Sequence, residues 1–64
     1  MESSDLAELS SIANTLDDAL RRIDAMSRRY EGTPREDEAA RLRDVERALG
    51  SAVRRLEGVV RAGR

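Results

Sequence analysis

Two Arg-Arg pairs, Arg21-Arg22 and Arg28-Arg29, stand seven residues apart in the stretch LRRIDAMSRRY. Seven residues is nearly two turns of α-helix, so on a helix the four guanidiniums form one stripe. Such a stripe could follow a phosphate backbone. Two acidic groups, Asp17-Asp18 and Glu36-Asp37-Glu38, offer carboxylates that could hold a cation. The rest of the inventory is poor. Histidine and cysteine are both absent, which removes the commonest general base and the commonest metal ligands. There is no glycine-rich phosphate loop, and no acid pair flanked by apolar residues that would raise a pKa. No catalytic residue, metal ligand, cofactor or small-molecule substrate is indicated, and a non-enzymatic protein is expected.

Sequence neighbours weigh against the phosphate reading of the arginines. Asp17, Asp18, Asp24, Asp37 and Glu57 lie four residues before Arg21, Arg22, Arg28, Arg41 and Arg61. Acid before base at this spacing is the better orientation for an ion pair on a helix. A nucleic-acid surface would leave its arginines free and often interleave aromatics to stack bases, but Tyr30 is the only ring. The pairs read as the solvated side of a helix, and nucleic acid is an unlikely partner.

These residues need helices to position them, and the sequence divides into two at EGTPREDE. Gly32 suits the left-handed residue that ends a helix, Thr33 the cap of the next, and Pro34 its first turn. Glu36 would complete a capping box with Thr33. Helix one is expected at about 4–31, the turn at 32–33 and helix two at about 34–62, with Ser3 or Ser4 capping the first and Gly63 just past the second. Together they form a single domain over 1–64. Leu6, Leu9, Ala13, Leu16, Leu20, Ile23, Ser27 and Tyr30 alternate at three and four residues. So do Leu42, Val45, Leu49, Ala52, Leu56 and Val59. These are coiled-coil seams. A short turn forces antiparallel packing, and the seams pair about one centre near Gly32-Thr33: Leu20 with Val45, Ala13 with Ala52, Leu6 with Val59. The fold class is all-α, a coiled-coil-like antiparallel hairpin.

Composition bounds the setting. The 64 residues carry 12 basic and 13 acidic side chains, a net charge of −1, so no overall field attracts a polyanion. All the basic residues are Arg. The acidic N-terminal stretch lacks the pattern of a secretory signal, and no apolar run is long enough for a membrane span. A cytoplasmic protein with no membrane partner is expected.

Each helix also has apolar residues beyond its seam. Ile12, Ala19 and Met26 form a second stripe on helix one, and Ala39, Val53 and Val60 another on helix two. Extra stripes of this kind mark bundle helices, and two helices alone make a thin core. On the expected seam the stripes lie on opposite flanks. Both are candidate partner-binding surfaces, and the hairpin is expected to build a four-helix bundle, as a homodimer or with helices of another protein. Gly50 and Gly58 are placed facing away from the seam. The expected role is an adaptor or regulatory protein–protein interaction module.

In plan this assembly resembles Rop, the plasmid-encoded helical hairpin that dimerises and binds RNA through a helix face without net positive charge. No motif is shared. The resemblance implies an alternative, a dimeric RNA- or DNA-binding regulator using Arg21, Arg22, Arg28 and Arg29. Helical hairpins that bind cyclic di-GMP through an E-x3-S-x2-R-x3-Q-x3-D repeat are not matched, because the sequence has no glutamine.

Overall fold

A computed structural model describes residues 1–64 as two α-helices, α1 (Ser3–Tyr30) and α2 (Glu36–Gly63), packed against each other with no strand. Each helix has 28 residues, or roughly 42 Å of rise, and the Cα trace measures 49 × 14 × 10 Å. No helix is long and apolar enough to cross a membrane.

The turn between them takes up five residues, Glu31 to Arg35, rather than two. Gly32 sits at φ 70°, the left-handed region that side-chain-bearing residues rarely enter. The Thr33 N–H donates to the Tyr30 carbonyl at 3.3 Å, and the Glu36 N–H donates to the Thr33 carbonyl at 3.1 Å. The Thr33 hydroxyl oxygen accepts the Arg35 N–H at 3.1 Å. Thr33 therefore caps a tight lead-in turn, and regular helix begins at Glu36, two residues later than Pro34. The reciprocal capping box is absent because the Thr33 N–H already has a partner. At the other end Glu2, not Ser3 or Ser4, precedes α1, and it makes no side-chain cap.

Side chains fasten the turn. The Arg35 guanidinium lies 4.5 Å from the Tyr30 ring centroid and donates to Glu38 at 3.0 and 2.6 Å. Glu38, first as hydrogen-bond acceptor and then as a nearby negative charge, raises the Arg35 pKa. Arg43 donates to Glu31 at 2.7 Å, tying α2 back to the end of α1.

Along α1 the buried residues are Ala13 and Ser27, both in the expected seam. Helix α2 departs from expectation. It buries Ala39, Gly50, Val53 and Val60, while Val45 and Val59 are 48% and 47% exposed and Ala52 is exposed too. Leu42, Leu49 and Leu56, half-buried, belong to either arrangement. The helix is turned about its own axis so that Ala39, Glu46, Val53 and Val60 replace Val45, Ala52 and Val59. The register moves as well. A Leu20 methyl lies 3.8 Å from where a Cβ would project from Gly50, and a Leu6 methyl fills that space at Gly63. Leu20 thus meets a residue five positions beyond Val45. The longer turn supplies part of the shift.

A polar contact crosses the seam in this register. The Ser27 hydroxyl lies 2.9 Å from the Asp24 carbonyl and 2.8 Å from Glu46 Oε1, and can donate to either. Ser27 is 1% exposed. Glu46, barred from a seam by its charge, enters this one because Ser27 offers it a donor and solvent wets its other side.

The core remains thin. Only six of 64 residues are buried, and none is Leu, Ile or Met. The accessible surface is 4782 Å², against about 4,100 Å² for a compact monomer of this size.

Candidate interaction surface

Turning α2 changes what the hairpin shows to solvent. On one side, Leu20, Arg21 and Asp24 of α1 border an open groove with Arg43, Glu46 and Arg54 of α2. Farther along this side, Asn14 and Asp17 share a cleft with Glu57, and Ser10 shares one with Arg61 and Arg64. This face is polar along its length.

The opposite face is apolar. Met26 and Tyr30 border a groove with Leu42 and Val45, rimmed by Arg35, Glu38 and Arg41, and Met1, Leu9 and Ile12 line another at the open end of the hairpin, rimmed by Asp5 and Glu8. Seven-residue spacing carries the face between them, from Met26 through Ala19 to Ile12 on α1 and from Val45 through Ala52 to Val59 on α2. Ile23, Leu16, Leu49 and Leu56, all half-buried, form its floor. Five large apolar side chains are exposed in this protein, namely Met1, Ile12, Met26, Val45 and Val59, and all five lie here. Scattered exposed apolars need no explanation, but a contiguous set does.

The two candidate stripes thus fare differently. Ile12 and Met26 are 42% and 37% exposed, with Ala19 half-buried between them. Ala39, Val53 and Val60, at 0%, 5% and 6% exposure, are spent inside the hairpin. Their surface place is taken by Val45, Ala52 and Val59, the residues expected in the seam. Instead of two apolar flanks on opposite sides, the structure has one apolar face. Gly50 faces Leu20 within the hairpin, not outward, and Ala13 shares its cleft with Val53, not Ala52.

The arginines lie outside this face or along its edge. Arg21 and Arg28 pair with Asp17 and Asp24, four residues before each. Arg35 pairs with Glu38, Arg43 with Glu31 and Arg47 with Asp44. Arg22, Arg41 and Arg61 do not close on the acids four residues before them. All are exposed, and there the attraction gained in water barely offsets the side-chain freedom lost. No group of His, Cys, Asp or Glu is arranged to hold a metal ion.

Comparison with protein-family models, curated proteins and solved structures finds no match for this chain.

Proposed function

We propose that this chain is a small, non-enzymatic protein–protein interaction module, an adaptor or regulator that works by helix–helix association. Its apolar face closes a four-helix bundle with two further helices. The observation that carries this reading is the gathering of Ile12, Met26, Val45 and Val59, all exposed, on one side of the hairpin. Burying such surface stabilises by about 25 cal/mol per Å². A two-helix unit with so thin a core gains most from that source.

The test is in-cell photo-cross-linking from each face. A photoreactive residue replacing Ala52, at the centre of the apolar face, should form discrete covalent adducts, with a second copy or with another protein. The same residue replacing Arg47, on the polar groove, should form few. Adding Met26→Glu should abolish the Ala52 adducts. Equal labelling from both positions, or none from Ala52, would overturn the reading.

A further inference from the structure

Resting on that reading, we infer that the occupant of the apolar face is a second copy of this chain, packed face to face with its turn at the opposite end. The first support is internal symmetry. The Leu20–Gly50 contact sets Ala19 level with Ser51, about 1.5 Å along the axis from Ala52. The small residues of the two exposed stripes therefore lie at one height. Ile12 and Met26 stand seven residues either side of Ala19, and Val45 and Val59 seven either side of Ala52. One two-fold axis across the face at this height brings both stripes onto themselves. Ala19 then meets Ala19 and Ala52 meets Ala52, so the helices can approach closely at the centre. Ile12 covers Met26, and Val45 covers Val59. A two-fold interface requires self-complementarity of this kind.

The second support is charge, which selects the direction. Heptad spacing puts Glu8, Thr15, Arg22 and Arg29 along the outer edge of the face on α1, and Arg41, Ala48, Arg55 and Ala62 along the edge on α2. Glu8, Arg29, Arg41 and Arg55 take no part in the hairpin's own ion pairs. With turns at opposite ends, α1 lies over α1 of the second copy, and Glu8 meets Arg29 twice. Arg41 then meets Ala62, and Arg55 meets Ala48, so no like charges oppose each other. With turns at the same end, α1 lies over α2, and Arg29 opposes Arg41 twice. The area suffices in either case. From Leu9 to Tyr30 the face runs about 30 Å, and two helices make it about 20 Å wide. That footprint of about 600 Å² per copy approaches the roughly 800 Å² per partner of a standard interface.

The chain contains no cysteine, so single-cysteine variants report without interference. Ala19→Cys, mildly oxidised at micromolar concentration, should form a disulfide-linked dimer, because the axis brings the two Cβ atoms within bonding range. Mixed with Ala52→Cys, it should still pair with itself. Sedimentation equilibrium should give twice the chain mass for the wild type. Glu8→Arg should weaken the dimer about tenfold, by reversing two exposed pairs, and adding Arg29→Glu should restore it. A dimer that forms only the Ala19–Ala52 disulfide, or neither disulfide, would overturn the arrangement while leaving the face an interface. A helical wild-type monomer at micromolar concentration would overturn the second copy as occupant. The interaction reading would then stand or fall on whether Ala52 labels another protein in cells.

Discussion

On one face of the hairpin, Arg21, Asp24, Arg43 and Glu46 border an open groove. On the other, Met26, Leu42 and Val45 border theirs. Both faces are built from the same two helices and the same seven-residue repeat. They differ because α2 is rotated, which moves its valines at 53 and 60 inward and those at 45 and 59 outward. Had Val45 and Val59 stayed in the seam, each flank would carry one narrow apolar stripe. The rotation gathers the surplus on one side, as the proposed four-helix bundle requires.

The largest effect expected follows from that rotation. Val53→Glu places an unpaired carboxylate between the helices at a position 5% exposed, at a cost of about 3–5 kcal/mol. A hairpin with so little core cannot absorb this loss, and far-UV circular dichroism should show the helicity collapse. Val45→Glu, eight residues earlier and 48% exposed, should keep its helicity wherever dilution leaves the hairpin alone, and should lose assembly instead. If Val45→Glu unfolds the chain and Val53→Glu does not, the unrotated seam is the true one.

Much of this architecture was legible. Gly32 stands where a left-handed residue is needed, and the three-and-four spacing on both sides announces two antiparallel helices. The face α2 turns inward is not legible by the same spacing, because Ala39, Leu42, Glu46, Leu49, Val53, Leu56 and Val60 alternate as regularly as the series through Val45, Ala52 and Val59. An apolar count rejects the series for its one charged member. The signal on the facing helix is Ser27. Its hydroxyl, between Ile23 and Tyr30 near the end of the seam, can donate to the Asp24 carbonyl of its own helix or to Glu46 across it, so a glutamate is admitted there. Of the candidate site, Ile12, Ala19 and Met26 lie on the outward apolar face, whereas Ala39, Val53 and Val60 are buried between the helices.

The Ser27–Glu46 contact gives the next largest effect. Ser27→Ala leaves the Glu46 carboxylate against the seam without its hydroxyl donor, at a cost of about 1–2 kcal/mol. Replacing both, as Ser27→Ala with Glu46→Leu, should recover that loss, since an apolar pair of fitting shape avoids desolvating a charge. Urea denaturation of the three variants measures it. The double variant should also populate more than one register, because only the fit of Leu20 and Leu6 against Gly50 and Gly63 would then favour the native one. A cysteine pair at Leu20 and Gly50 would report the slip. Equal stability of the single variant and wild type would mean that Glu46 simply swings into water.

Glycines give effects of about 1 kcal/mol, with opposite signs. A Cβ at Gly50 would meet Arg54 at 3.5 Å and Leu20 at 3.8 Å, which is ordinary contact. Gly50→Ala should therefore stabilise the helix by about 1 kcal/mol. At Gly32, φ 70° penalises any side chain although the space is open, so Gly32→Ala should destabilise by about 1–2 kcal/mol. Thermal melts read both. A loss at Gly50 would mean that the helices lie closer there than the structure shows.

The smallest effect concerns the polar face and nucleic acid. A polyanion gains affinity by displacing counterions from phosphates that arginines neutralise, so free arginines matter rather than total ones. Here Arg21, Arg28, Arg35, Arg43 and Arg47 are already engaged. In the groove bordered by Arg21, Arg43 and Arg54, Asp24 and Glu46 stand among them, and any phosphate held there would sit beside a carboxylate. Arg22, Arg29, Arg41, Arg54, Arg55, Arg61 and Arg64 take no part in these pairs, but they are divided among the outer edges of α1 and α2 and the polar side, and dimerisation would set Arg29 against Glu8. Binding of mixed duplex and hairpin RNA, followed by fluorescence anisotropy at physiological salt, should be weaker than micromolar. Arg21→Gln, Arg22→Gln, Arg28→Gln and Arg29→Gln together should change it little. Submicromolar binding that falls steeply with salt and disappears in that variant would mean the polar face also serves a partner, and the contrast between the faces would be one of partner type rather than of occupied and empty.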